Sequence, residues 1–285
     1  MILENISRSF RTWLKYGTEL LAAKGIRDAE SDAWILMEYS ANIDRTFYSM
    51  HAREPMDLAD SKQYYDLLLK RAARIPVQYL THEAWFYGSC FYVNPSVLIP
   101  RQDTETLVER AELLCSPGMH VLDLCTGSGC ILLSLLKNHS MTGIGADISE
   151  EALEVAEKNR GLLGVRKSQV SWICSDLFDD IGGNFDMITA NPPYIAAAEI
   201  AHLDPEVRDH EPVLALDGAD DGLHYEFLIA ERARMHLNEG AWLLLEIGHD
   251  QGEVMKEELT RLGYSETEIV RDLGGNDRVA IGRMT

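Results

Sequence analysis

The chain contains no apolar run near the roughly 18 residues that a membrane-spanning helix needs, and its first residues do not follow the signal-peptide pattern. A cytoplasmic protein with no membrane partner is therefore expected. Cysteine is scarce: Cys90, Cys115, Cys125, Cys130 and Cys174 include no C-x-x-C pair. Several lie in apolar strand contexts, so reduced, buried thiols are expected. The nine histidines form no H-E-x-x-H or similar cluster, and no metal site is expected. Positive charge is the last deficit. Residues 1–80 carry 11 acidic and 11 basic side chains, so of the chain's 46 acids and 26 bases, 35 and 15 fall in residues 81–285, and the whole net charge of −20 falls there too. Such a region repels phosphate backbones, whereas nucleic-acid binders release counterions from a basic patch. A basic protein partner fits better, and no direct nucleic-acid partner is expected.

What is present is enough apolar material, 46% of 285 residues, for one large domain or two smaller ones. The most informative stretch is Asn191-Pro192-Pro193-Tyr194, directly after the apolar run Phe185-Asp186-Met187-Ile188-Thr189-Ala190. It reads as the carboxyl end of a buried strand, where open α/β sheets hold their ligands. Two prolines stiffen the backbone with φ near about −65° and remove two N–H donors. Carbonyls then project in a fixed geometry, Asn191 adds a side-chain oxygen, and Tyr194 can cover a flat group. Two acceptors beside a ring suit a planar group bearing an NH2. A proline-rich turn with Tyr194 as a core aromatic is the plainer alternative, and a second motif weighs against it.

That motif is His120-Val121-Leu122-Asp123-Leu124-Cys125-Thr126-Gly127-Ser128-Gly129. An apolar strand passes through a small-residue turn into the helical run Ile131–Leu136, whose N-terminus offers unpaired N–H groups. The next strand, Met141–Ala146, ends in Asp147, placed to accept both hydroxyls of a ribose. The turn lacks the third glycine of a dinucleotide fingerprint. Together with Asp147 and the Asn-Pro-Pro-Tyr strand end, it points to a class I S-adenosylmethionine site.

Residues 1–75 show helical periodicity alone. Phe10, Trp13, Leu14, Gly17, Leu20 and Leu21 share a face, a second helix follows a possible cap at Asp28, and a third runs through Tyr64–Leu69 and stops before Pro76. A small helical bundle is expected, serving as a docking domain or as a stabilising appendage. Residues 76–100, with aromatics near alternation around Gly88, suggest a β-hairpin linker. Asp103 or Thr104 could cap a helix Glu105–Leu114. Residues 101–285 alternate strands near 119–125, 141–147, 169–174, 185–190, 241–247, 265–271 and 278–283 with helices near 128–138, 149–162, 222–237 and 250–262. Such alternation predicts a doubly wound, mostly parallel sheet, with a late hairpin at Gly274–Asp277 supplying an antiparallel strand.

These segments resemble the HemK/PrmC family, methyltransferases of the glutamine in the Gly-Gly-Gln loop of peptide chain release factors. The resemblance spans nearly the whole chain: the helical N-terminus, Pro76–Leu80, Val97–Glu105, Asp123–Gly129 and Asn191–Tyr194. It continues in Glu211-Pro212, Ala215–Gly218, Asp221–Leu223 and Leu245–Gly248. Cys125 departs from the family's usual glycine and Gln102 from a common proline. The resemblance implies a Rossmann-like class I S-adenosylmethionine-dependent methyltransferase with a seven-stranded sheet, a small helical bundle and a hairpin linker. The cofactor would be S-adenosyl-L-methionine, leaving S-adenosyl-L-homocysteine, and the partner a release factor bound by a monomer.

By that resemblance Cys125, Thr126, Gly127, Ser128 and Gly129 surround the methionine part of the cofactor, Asp147 holds the ribose, and Asp176 and Leu177 border the adenine. Asn191, Pro192, Pro193 and Tyr194 hold the glutamine, with Asn191 also beside the cofactor and Asn191, Pro192 and Tyr194 carrying catalysis. Pro100, Arg101, Thr104 and Glu105 would roof the site, although Arg101 and Glu105 could equally pair with each other. An N6-adenine methyltransferase shares the strand-end logic but meets the −20 charge. A ribosomal-protein glutamine methyltransferase is closer, with Thr81–Phe86 in its style, while Arg101–Glu105 favours the release-factor branch. A cofactor-binding protein without catalysis would have no use for the intact Asn191–Tyr194 segment.

Overall fold

The fold comes from a computed structural model that describes residues 8–285; the first seven residues of the expected helical domain lie outside them. Contacts divide the described chain into two units, residues 8–82 with 205–210, and residues 83–204 with 211–285.

The first unit is helical: α1 (Phe10–Ala23), α2 (Ala29–Ala41), α3 (Arg45–His51), α4 (Leu58–Ala72) and α5 (Val77–Thr81). Short polar side chains start three of these helices. Ser9 accepts the Thr12 N–H at 3.3 Å, Asp44 that of Phe47 at 2.7 Å and Asp57 that of Ala59 at 2.8 Å, each satisfying one otherwise orphaned donor. Asp28 sits at the start of α2 but makes no such bond. The apolar faces meet in a core holding Trp13, Leu21, Leu36, Met37, Tyr64 and Leu68. Inside it the Tyr64 hydroxyl donates to the Ala33 carbonyl at 3.1 Å. Arg71, also buried, donates to Asp32 at 2.7 Å and to Glu206 at 2.9 Å, so the 205–210 segment belongs with the helices through a paired charge. The Pro76–Leu80 stretch, read as the start of the hairpin linker, is helical. Its last turn closes at His82, in the left-handed region at φ 59°.

The second unit begins with the hairpin β1 (Glu83–Phe86) and β2 (Ser89–Tyr92), followed by α6 (Gln102–Leu114), β3 (His120–Leu124), α7 (Cys130–Asn138), β4 (Thr142–Asp147), α8 (Glu150–Leu162), β5 (Val170–Cys174) and β6 (Phe185–Ala190). Then come the short α9 (Ala197–Ile200) and α10 (Pro205–Arg208, in the segment counted with the helices) and a 3-10 turn at Val213–Ala215. The chain ends with α11 (His224–Ala233), β7 (Leu237–Glu246), α12 (Gly252–Arg261), β8 (Ser265–Arg271) and β9 (Asp277–Arg283). The seven-stranded sheet has the order β5-β4-β3-β6-β7-β9-β8, parallel except for β9, which runs against both neighbours.

The strands read as near-continuous apolar runs because both faces are covered. Leu122, Leu124, Ile188, Leu243 and Leu245 pack with Ile229, Met255 and Leu259 on one face. Val121, Met187, Leu244 and Ile281 pack with Leu107, Leu132 and Leu136 on the other. Val121 and Leu122 fall on opposite faces, as a period of two requires, and each fully buried aliphatic side chain contributes about 1.5–3 kcal/mol. From β3 the chain winds outward to β4 and β5, then returns to β6 on the other flank of β3. That reversal opens a crevice at the carboxyl ends of β3 and β6, the place where doubly wound sheets bind ligands.

Candidate active site

A cavity of about 340 Å³ occupies this crevice, within the size range of small-molecule sites. The turn after β3 forms one wall. Beneath it Asp123, wholly buried, accepts the Thr126 hydroxyl at 2.6 Å and the Thr189 hydroxyl at 2.7 Å. Burial pushes its carboxyl up to about 7 against those two hydrogen bonds. The turn is thus bolted to β6 through one side chain. Cys125 takes the left-handed region at φ 53°, a conformation that disfavours a Cβ, and it lines the cavity.

Asp147, at the tip of β4, faces the same cavity. Its Oδ2 accepts the Gly127 N–H at 2.8 Å and its Oδ1 the Ser149 N–H at 3.0 Å. Burial raises its pKa while the backbone donors oppose the rise. Each carboxylate oxygen retains a lone pair, so the group can accept two further hydroxyls. A half-buried carboxylate, a wall of small residues and the apolar Leu177 beside Asp176 form a donor set that fits a nucleoside carrying an amino-acid tail.

The opposite wall carries the tip of β6. Asn191 Nδ2 donates to the Thr104 hydroxyl oxygen at 3.4 Å, which leaves Asn191 Oδ1 as the uncommitted acceptor. Asn191 and Pro193 line the cavity, whereas Pro192 is buried in the wall. Tyr194 also lies behind the wall, its hydroxyl donating to Glu246 Oε1 at 3.2 Å. Burial pushes the Tyr194 hydroxyl far above its ordinary value and the Glu246 carboxyl up to about 7.

Backbone from elsewhere clamps this tip. Ile195 N–H donates to Leu216 O at 3.1 Å and Gly218 N–H to Ile195 O at 2.8 Å. Gln251 Nε2 donates to Gly222 O at 2.8 Å and to Tyr194 O at 3.3 Å. A Cβ on Gly218 would lie 2.8 Å from the Pro193 carbonyl oxygen, and one on Gly222 would lie 2.3 Å from that of Tyr194. Glycine is required at both because the opposing atoms are backbone and cannot swing away.

Of the residues expected around the cofactor, Cys125, Thr126, Gly127, Ser128, Asp147, Asp176, Leu177 and Asn191 line the cavity. Gly129 does not; it lies under the turn, where a Cβ would meet Leu133 at 3.0 Å. Pro100, Arg101 and Thr104 line the cavity as the expected roof, but Arg101 and Glu105 do not pair with each other. Arg101 pairs with the buried Glu211, which also accepts the Ile99 N–H at 3.2 Å, while Glu105 accepts the Tyr87 N–H at 2.9 Å. The helix expected from Glu105 starts at Gln102 and has no side-chain cap from Asp103 or Thr104; Thr104 instead serves Asn191. The cysteines are free, yet none is fully buried and Cys174 is exposed, because β5 is the sheet's edge strand. Glu211, Glu246 and Gln251 were missed as site-building residues. The only signal for the first two was their place in the matched segments.

Residues 12–81 match the PrmC N-terminal domain and residues 102–204 the methyltransferase small domain. A release factor glutamine methyltransferase of Geobacter sulfurreducens is 36% identical over 279 residues, 97% of each chain. One of Cereibacter sphaeroides is 40% identical over 272 residues, covering 95% of this chain and 97% of that one. The chain belongs to the release factor glutamine methyltransferase family. A further family member, from Salmonella typhimurium, is 37% identical over 282 residues, covering 97% and 99%. Among solved structures, a methyltransferase from Pyrococcus furiosus aligns with TM-score 0.51 at 19% identity, over 70% of this chain and 90% of that one. The T. thermophilus 16S rRNA N2 G1207 methyltransferase, in complex with AdoMet and guanosine, aligns with TM-score 0.52 at 15% identity, over 71% and 50%. At such identities the likeness speaks to the fold, the class I S-adenosylmethionine-dependent methyltransferase fold that the family shares.

Proposed function

We propose that the chain transfers a methyl group from S-adenosyl-L-methionine to the side-chain amide nitrogen, N5, of the glutamine in the Gly-Gly-Gln motif of peptide chain release factors. The observation that carries this reading is Asn191 lining the same cavity as Asp147 and the Cys125–Ser128 turn, with its Nδ2 committed to Thr104 and its Oδ1 left to accept.

An amide nitrogen is a poor nucleophile because its lone pair is delocalised into the carbonyl. When bound, the sulfonium supplies an already electrophilic methyl, so the protein's task is alignment. Asn191 Oδ1 and the Pro192 carbonyl accept the two N–H bonds of the glutamine amide, turn its lone pair toward the cofactor side of the cavity and favour the positive charge that develops on nitrogen. Asp147 holds the ribose hydroxyls, Leu177 and Asp176 border the base, and the Cys125–Ser128 turn holds the amino-acid end. Tyr194 acts from behind, its hydroxyl anchored on Glu246, and stiffens the acceptor pair. No side chain need act as base before transfer, because the surplus proton can leave to water afterwards.

The acidic region 81–285 suits a protein substrate with basic surface better than a nucleic acid. The helical unit serves as the docking module, and the enzyme works as a cytoplasmic monomer. Incubation with labelled S-adenosylmethionine and purified release factor, beside a glutamine-substituted factor and a DNA control, tests the reading. Label should enter the factor alone, and label in the DNA or in the substituted factor would sink it. Docking by the helices is tested by Met50→Glu and Leu58→Glu, both at exposed apolar positions. These should raise KM for the factor and leave kcat unchanged; an unaltered KM argues against that role.

A further inference from the structure

Asn159 lies on α8, is 0% exposed and makes three short hydrogen bonds. Its Oδ1 accepts the Tyr92 N–H at 2.7 Å, and its Nδ2 donates to the Tyr92 carbonyl at 3.0 Å and to the Ser128 carbonyl at 2.9 Å. The first two bonds pair it with the end of β2 much as one residue of a strand pairs with another. The third reaches the turn after β3, where Ser128 lines the cavity.

Ser128 needs that donor. The residue is 2% exposed, and its carbonyl precedes the start of the α7 ladder, where Gly129 O accepts from Leu133 at 2.9 Å. A buried carbonyl outside a ladder must find its partner elsewhere. One donor and two acceptors thus converge on position 159, and a carboxamide in a single orientation meets all three. Aspartate has the same shape but no proton to give when ionised, and alanine reaches none of the partners.

We propose that Asn159 is a positioning residue for S-adenosylmethionine binding: by holding the Ser128 carbonyl it sets the wall on which the amino-acid end of the cofactor rests. The inference rests on the reading of the Cys125–Ser128 turn given above. Other groups support the first half of that turn. Asp123 accepts the Thr126 hydroxyl at 2.6 Å, Ala146 O the Thr126 N–H at 3.0 Å and Asp147 the Gly127 N–H at 2.8 Å. Asn159 supports the second half. The rest of its helix face packs there too: Ala152 lines the cavity, and Ala156 lies 3.3 Å from where a Cβ on Gly129 would sit. Residues 152, 156 and 159 share one helix face, so α8 presents its only polar group of the three to the carbonyl that needs it.

Calorimetric titration with S-adenosylmethionine, methyl transfer to a release factor and thermal unfolding are compared for the unaltered protein, Asn159→Asp, Asn159→Ala, Asp147→Asn and Val155→Ala. Val155 is buried one turn earlier on α8 and does not line the cavity, so its truncation reports what lost packing alone does. Asn159→Asp keeps the shape and the acceptor for Tyr92 but loses both donations. It should raise cofactor Kd about 10- to 100-fold, with kcat at saturating cofactor and KM for the factor within about threefold. Asn159→Ala should shift Kd in the same direction, and it decides alone if Asn159→Asp does not fold. Val155→Ala should lower Tm and leave Kd within about threefold. An unaltered Kd in the folded Asn159 variants, beside a weakened Asp147→Asn, would overturn the positioning role and spare the cofactor site. A Kd that rises equally in Val155→Ala would overturn it as well, by tracing the effect to packing. An unaltered protein that binds no S-adenosylmethionine would remove the cofactor reading itself, and this role with it.

Discussion

Asp147 Oδ2 accepts the backbone N–H of Gly127 at 2.8 Å, so the carboxylate that ends β4 also shapes the turn that ends β3. One residue thus sets the distance between the two halves of the proposed cofactor site. In Asp147→Asn an NH2 replaces one of the two oxygens, and the turn and the ribose compete for the acceptor that remains. S-adenosylmethionine affinity should fall about 10- to 100-fold, or about 1.4–2.7 kcal/mol, with kcat at saturation changed by only a few-fold. Calorimetric titration measures this, and an unchanged Kd would show that Asp147 is no cofactor ligand.

Asn191→Ala removes the uncommitted acceptor and leaves the turn after β3 intact. Turnover should drop by about 10²–10³, the scale of one lost transition-state hydrogen bond, while cofactor affinity stays near that of the unaltered chain. Single-turnover transfer beside a binding titration separates the two quantities. A variant that methylates at the original rate would refute the assignment.

Gly222 holds φ +71°, and its added Cβ would sit 2.3 Å from the Tyr194 carbonyl oxygen. Gly222→Ala should cost about 1–3 kcal/mol of stability through overpacking and backbone strain. Because the displaced atoms belong to the Asn191–Tyr194 segment, kcat should suffer more than cofactor Kd. Thermal unfolding and transfer kinetics on one preparation check both; a fully stable, fully active variant would contradict the clamp.

Three buried carboxyls govern the response of stability to pH. Burial raises Asp123 and Glu246 to about 7 and Glu226 to about 8, and neither carboxylate oxygen of Glu226 has a partner among the described residues. Each holds its proton more tightly in the folded state than in the unfolded one. The stability they confer is therefore complete below about pH 4 and is lost as pH rises toward 7–8. Tm should fall between pH 5.5 and 8.5, and Glu226→Met should flatten the upper part of that slope. The variant should gain about 1–3 kcal/mol at pH 8.5 by removing an unsatisfied buried group. Calorimetry across that range checks it; a Tm that climbs with pH would reverse the sign.

Some of the site was legible because it lies at the ends of apolar runs. Asn191 follows Phe185–Ala190 and Asp147 follows Met141–Ala146, and a parallel sheet brings all such ends to one edge. Arg101 shows where legibility stops. Its nearest acidic residues in the chain suggested a local pair, yet it reaches Glu211, 110 positions away. Gln251 reads as an ordinary polar residue before a helix, and only the packed structure reveals that it holds Tyr194 and Gly222 together. Pro76–Leu80 misled in another way: five residues are too few for a period, and the near-alternating aromatics around Gly88 drew them into the hairpin, whereas Val77–Thr81 is helical.

From the chain of letters alone came the alternation of strands and helices, the unequal charge of its two parts and the chemical types gathered at the sheet's edge. Each of these depends on neighbours within a few positions, where backbone geometry imposes periods of two and 3.6. Tertiary structure alone decided that Tyr194 turns away to Glu246, that Cys125 adopts a left-handed turn, and which end of the Asn191 amide is free. A hydrogen bond between side chains depends on which strands become neighbours, and here those partners are 52 and 87 residues apart.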